Sequence, residues 1–138
     1  MNEVKQDCWS LLQPSDVAFP FSWVGHIPFA MWLVCQLKPN TFVELGTHSG
    51  NSYLAICQAV KHHQLPTRCY AVDTWQGDEH AGQYDNSVYE TLQLKHNERY
   101  GNFSTLLRMT FDDALKTFDD NTVDLLHIDG LHTYEAVK

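Results

Sequence analysis

The sequence predicts an α/β fold in which a parallel sheet is flanked by helices on both faces. Three observations predict it. Short β-prone apolar runs alternate along the chain with segments of helical periodicity, the pattern of strand–helix–strand units. The stretch Thr41 to Ser52, TFVELGTHSGNS, reads as strand, glycine turn and helix start. Acidic residues, Asp73 and Asp129, stand at the ends of the second and fourth predicted strands.

The elements follow in order. Residues 1–40 read as a helical lead-in and 41–138 as the domain proper. Asp7 to Leu12 can form a short helix, and Pro14, Pro20, Phe19 and Phe21 indicate an irregular packed approach. Pro28 suits the first turn of a helix carrying Phe29, Trp32, Leu33 and Leu37 at helical spacing, closed by Pro39-Asn40. This helix covers the sheet; a sharper reading puts Trp23, Gly25 and His26 over the mouth of a binding site. After the glycine turn, Asn51 to Lys61 is helical, with Ser49 or Asn51 as N-cap. Arg68 to Val72 is the second strand, 76–88 a polar loop, Val88 to Tyr100 a helix, Ser104 to Met109 the third strand, and Asp113 to Phe118 a short helix. Val123 to Ile128 is the fourth strand, and Thr133 to Lys138 begins another helix.

Bulk properties narrow the function classes. A chain of 138 residues fits one domain with one modest core, and 43% hydrophobic with 19% charged residues is a globular composition. A formal charge of −8 disfavours nucleic acid or an anionic membrane as the main partner. The N-terminus MNEVKQDC shows no secretory signal, and the longest apolar run, Ile27 to Cys35, falls far short of the about 20 residues that span a bilayer. Cys8, Cys35, Cys57 and Cys69 lack C-x-x-C spacing, so they are expected to be reduced structural thiols of a cytoplasmic protein.

The glycine turn fails two familiar fingerprints. His48 and Asn51 occupy the second and third glycine positions of G-x-G-x-x-G, and no Gly-Lys-Ser/Thr follows to make a phosphate-binding P-loop. What remains is E-x-G-x-x-x-G, from Glu44 through Gly46 to Gly50. With CYAVDTWQGDEH, FDDAL and DLLHIDGLHTYEAV in the same order, this resembles the class I S-adenosylmethionine (SAM)-dependent methyltransferases, and within them the methyltransferase-24 type. The resemblance covers roughly residues 40–138.

The resemblance implies a Rossmann-like sheet of order 3-2-1-4 for the strands present, with ligands bound beyond the carboxyl ends at the switch point between the first and fourth strands. It implies that Glu44, Gly46, Thr47, His48, Ser49 and Gly50 shape the pocket for the methionine part and the ribose edge. Asp73 would hold the ribose hydroxyls, since a carboxylate can accept from both arms of a diol, with Thr74 and Trp75 beside the adenosine. The local alternative is that Asp73 caps the next turn. Phe111, Asp112 and Asp113 would border the adenine. His48 departs from the glycine general at its place.

The cluster His127-x-Asp129-x-x-His132 allows several readings. Asp129 can be a ligand for a divalent cation such as Mg, as in related metal-dependent O-methyltransferases, or His132 a general base. Alternatively Asp129 caps a helix and His132 faces solvent. Alternation along the strand makes His127 structural.

The resembled fold continues through further strands and an acidic motif, whereas this sequence reaches only the fourth strand. A fragment or a half-domain is expected, with an open strand edge that favours a homodimer or a missing C-terminal half. The function expected is methylation of a small molecule, at oxygen. The alternatives are a non-catalytic SAM-binding module and, further off, a nicotinamide-dependent oxidoreductase.

Overall fold

A computed structural model describes residues 12–78, 82–83 and 85–130 of the chain. The strands are β1 (Thr41–Leu45), β2 (Arg68–Asp73), β3 (Gly77–Asp78), β4 (Gly82–Gln83), β5 (Ser104–Arg108) and β6 (Leu125–Ile128). The helices are α1 (Ile27–Leu37), α2 (Asn51–His62), α3 (Ser87–Arg99) and α4 (Phe111–Leu115), with a 3-10 turn at Val24–His26 before α1. The main sheet has the order β5-β2-β1-β6, all pairs parallel, which is the expected 3-2-1-4.

Local chemistry explains the boundaries. Pro28 opens α1, and Lys38 closes it in the left-handed region, its N–H returning to the Val34 carbonyl at 2.9 Å. The short helix starts at Phe111, earlier than expected, because Thr110 caps it by accepting from the Asp113 N–H at 3.2 Å. Strand β6 starts later than expected because Asp124 is used otherwise. Its carboxylate accepts from the Asn40 and Thr41 N–H groups at 2.9 and 3.0 Å and fixes the start of β1. Within the polar loop lies an unexpected antiparallel pair, β3 with β4. Neither Ser49 nor Asn51 caps α2: Gly50, at φ 89°, holds that place without a side-chain bond.

Asn51 is occupied elsewhere, and its task explains the lead-in. Its Oδ1 accepts from Ala18 N–H at 2.8 Å, while its Nδ2 donates to the Ala18 and Pro20 carbonyls at 2.7 and 3.1 Å. Farther along α2, Gln58 accepts from Ser15 N–H and donates to the Gln13 carbonyl. Asp16 pairs with Arg99 of α3. The lead-in is thus a strap bound along α2 by backbone-mimicking amides. Most of the expected Asp7–Leu12 helix falls outside the described residues.

Strand alternation sends Phe42 and Glu44 to one face of the sheet and Val43 and Leu45 to the other. The first face is covered by α1, α2 and α3 through Ile27, Val34, Tyr53, Ile56 and Leu92. The second has a smaller core of Val43, Val72 and Ala114. No helix among the described residues is long and apolar enough to cross a membrane. The thiol expectation needs correcting. Cys57 and Cys69 are free and buried, but Cys35 is disulfide-bonded, because sequence spacing does not reveal which cysteines meet in space. The argument for a cytoplasmic setting from reduced thiols therefore loses its support.

Candidate functional site

The segments singled out in the sequence leave the carboxyl ends of adjacent parallel strands. The chain after β1 lies between that after β2 and that after β6, where the order reverses, the place where such sheets bind ligands. Backbone bonds tie these ends together. Gly46 N–H donates to the Val72 carbonyl at 2.9 Å, and Asp129 N–H to the Leu45 carbonyl at 2.8 Å.

The glycines here answer contacts within the chain. Gly46, at φ 89°, lies so close to the end of β6 that a Cβ would run into the Asp129 carbonyl. At Gly130 a Cβ would lie 2.6 Å from the Phe111 ring, so Phe111 closes over the end of β6. Gly50 admits Leu92 of α3.

Asp73 organises the turns. Its Oδ2 accepts from His48 N–H at 2.9 Å and its Oδ1 from Trp75 N–H at 2.8 Å. His48 and Trp75 are both left-handed, at φ 52° and 54°, conformations that side-chain-bearing residues adopt only when held. The carboxylate holds both, and Trp75 Nε1 donates back to the His48 carbonyl at 2.8 Å. This explains how a histidine replaces glycine: the chain still takes the glycine-like conformation, braced from two sides. The turn-capping reading of Asp73 is realised at Oδ1. Each oxygen retains a second acceptor direction, so the half-buried carboxylate still suits a diol.

Glu44 forms a second hub. It is 0% exposed, accepts from Thr47 Oγ at 2.9 Å and from Ser52 Oγ, and receives His127 Nδ1 at 2.8 Å from β6, where the two residues are in register. Hydrogen bonding to Glu44 raises the His127 pKa against the opposing effect of burial, with the Glu44 and Asp129 charges adding to the rise. Glu44 therefore acts on the loop from beneath, through Thr47 and Ser52.

The remaining predicted residues are placed as follows. Trp75 is 1% exposed, with its ring packed against Tyr89 at 4.8 Å. Thr74 and Ser49 are half-buried, and the Thr74 carbonyl accepts from Arg108 Nε at 3.2 Å. Asp112 and Asp113 are exposed in the first turn of α4. Asp113 bonds Lys116 Nζ at 3.0 Å, which holds its carboxyl below the usual range. Asp129 sits at the switch point; His132 lies outside the described residues. Among the described residues no group of three or more His, Cys, Asp or Glu side chains could hold a metal ion, so they do not fit the divalent cation expected at Asp129.

Sequence reasoning missed two participants, Ser52 and Arg108, and placed Trp23 near the site without its partner His127. Ser52 bonds Glu44, and the Trp23 ring lies 5.2 Å from that of His127. Arg108 stacks on Tyr89 at 4.5 Å beside Thr74. A hollow of about 540 Å³ lies at the opposite, amino end of β2 and β5, lined in part by Lys61, Leu65, Arg99 and Phe103. It touches none of these loops.

Comparison with known proteins agrees with this geometry. Residues 43–138 match a family described as "Methyltransferase domain". The chain is 55% identical over 117 residues to y4gI of Sinorhizobium fredii (strain NBRC 101917 / NGR234), an uncharacterized protein, the match covering 85% of this chain and 13% of that one. Among solved structures it is similar to the SAH-bound Podospora anserina methyltransferase PaMTH1, with TM-score 0.58 and 17% identity over 75% of this chain and 39% of that one. It is also similar to an O-methyltransferase from Bacillus cereus in complex with SAH, with TM-score 0.48 and 18% identity over 86% of this chain and 48% of that one. The chain therefore spans about one eighth of its curated relative and less than half of these solved structures.

Proposed function

The chain belongs to the methyltransferase-domain family, and from that premise we propose that its carboxyl-edge loops bind S-adenosylmethionine for methyl transfer to a small-molecule acceptor, at oxygen. The observation that carries the reading is Asp73. One half-buried carboxylate at the end of β2 braces the glycine turn through His48 and keeps acceptor capacity for a ribose diol at the sheet's switch point. The SAH bound in the PaMTH1 structure, on a sheet of the same fold, supports the choice of cofactor. The net charge of −8 supports a small acceptor over a nucleic acid.

When bound, SAM supplies an electrophilic methyl group for in-line displacement. The residues present hold and orient. Asp73 would accept from the ribose hydroxyls, the Gly46–Gly50 turn would border the methionine part, and Phe111, against Gly130, would close the side near β6. Asp129, whose backbone carbonyl lies against Gly46 at the switch point, would supply the carboxylate that takes the proton of the acceptor hydroxyl.

Calorimetric titration with S-adenosylhomocysteine, with NADH as control, tests the reading. Saturable binding of the first alone, weakened about tenfold or more by Asp73→Asn, is the expected outcome. Binding of NADH instead, or SAH binding indifferent to Asp73→Asn, overturns it. In a full-length relative, loss of the corresponding Asp129 carboxylate should lower turnover by about 10²–10⁴ while SAH affinity holds.

A further inference from the structure

We propose that His127 and Trp23 are positioning residues for the Gly46–Gly50 turn, acting through the buried Glu44 carboxylate. The inference deepens the cofactor reading and rests on it for one of its two readouts.

Glu44 carries a charge-bearing group at 0% exposure, and a carboxylate only accepts, so its stability there depends on the donors around it. Thr47 belongs to the turn and Ser52 to the first turn of α2, so both are part of what is being positioned. Among the described residues, His127 is the donor that reaches Glu44 from another strand, at 2.8 Å, and it anchors the carboxylate to the sheet. Without that donor, a buried oxygen is left short of a partner, and the carboxylate gains by turning toward water. Thr47 and Ser52 then lose their shared anchor.

The His127 ring is held in turn. Trp23 lies over it at 5.2 Å between centroids with a 58° tilt, and on its other side Trp23 meets His26 at 5.6 Å. Trp23 follows directly on the strap that Asn51 grips at Ala18 and Pro20. Asn51 is the first residue of α2, immediately after the turn. A closed circuit results: turn, Glu44, His127, Trp23, strap, Asn51 and back to the turn. The strap's position and the turn's conformation are thereby coupled. Neither His127 nor Trp23 is needed to touch a ligand for this role.

The test uses the 138-residue chain and the variants Trp23→Ala, His127→Leu and His127→Asn. Asn places an amide N–H near the position of imidazole Nδ1 and so restores the donor without the ring. Amide hydrogen exchange is followed at Gly46, His48 and Gly50, with β5 amides as reference. Trp23→Ala and His127→Leu should speed exchange in the turn about tenfold while leaving β5 unchanged, and His127→Asn should return it to within about threefold of wild type. SAH affinity should fall and recover in parallel, by about tenfold. Unchanged exchange in the turn, or an equal rise throughout the sheet in Trp23→Ala, overturns the proposal. So does a loosened turn with unaltered SAH affinity. If His127→Leu unfolds the chain, Trp23→Ala decides alone, since Trp23 is half-buried and its truncation removes no backbone group. If wild type binds no SAH, the cofactor reading falls, and the exchange data still judge the positioning role.

Discussion

The two faces of the sheet are built from the same strands and differ in kind. On the face toward α1 and α2, Phe42 and Glu44 are both 0% exposed, and helices cover the strands from end to end. On the other face, β6 presents Leu126 at 48% and Ile128 at 37% exposure, and the short α4 shields mainly Val43 and Val72. The first face therefore holds the chain together and braces the turn through Glu44. The second has a fully buried core of only Val43, Val72 and Ala114 among the described residues, with partly buried side chains such as Tyr70, Leu107 and Phe118 around it. Adjacent positions on one strand thus belong to different physical regimes, and an alternating sequence does not show which face will be sealed.

The sharpest way to break this contrast is to remove a side chain from the sealed face. Phe42 packs parallel to Tyr53 with ring centroids 6.1 Å apart. Phe42→Ala should cost about 3–5 kcal/mol in urea denaturation, since the surrounding helices cannot close over the cavity. A cost near 1 kcal/mol would mean the face is loosely packed and the distinction between faces is wrong.

Next comes the hinge between the faces, where β1 ends. Gly46→Ala combines a left-handed φ of 89° with a clash against the Asp129 carbonyl, which is backbone and cannot rotate away. Destabilisation of about 2–3 kcal/mol is expected, together with loss of the β1–β6 alignment at Asp129. Gly25→Ala, with open space around its Cβ, is the control and should lie within about 0.5 kcal/mol of wild type.

Much of this was legible in the sequence. Strand–helix alternation gives the parallel sheet, and the glycine spacing with Asp73 and Asp129 marks the carboxyl edge. The start of β6 and the cap of α2 departed from expectation because one side chain was taken by a distant partner: Asp124 by Asn40 and Thr41, Asn51 by Ala18. Such bonds span 33 to 84 residues and leave no local trace. The same holds within the site. Asp73 as a hub, Glu44 meeting His127, and Trp75 turning inward all depend on register between strands or on left-handed turns. Residue type alone does not fix either. His48 is instructive: it departs from the glycine general at its place, and the structure retains a glycine-like conformation there by bracing it.

The His127–Glu44 pair offers a smaller effect with a defined sign. The folded His127 pKa lies above the ordinary imidazole value of about 6.5, mainly through its bond to Glu44. Its protonated form therefore binds more tightly in the folded state. That contribution is complete below about pH 6.5 and is lost as pH rises through the raised folded value. Measured as the stability difference between wild type and His127→Asn, the advantage of wild type should shrink from pH 6 toward pH 9, by about 1.5–3 kcal/mol, the range for a hydrogen bond to a charged group. The subtraction removes the chain's other histidines. A difference independent of pH would show that the bond is made by the neutral ring alone.

The smallest effect belongs to the open face. Leu126→Ala removes a side chain that is 48% exposed, so only about half of its transfer term is at stake, and little cavity can form on an uncovered surface. A cost below about 1 kcal/mol is expected, against several for Phe42→Ala on the neighbouring strand. In thermal melts this separates the variants by many degrees in a domain of this size. Equal losses at the two positions would mean that the face of Leu126 is buried in solution by something the isolated chain does not display, and the comparison of faces would then have to be redrawn around that contact.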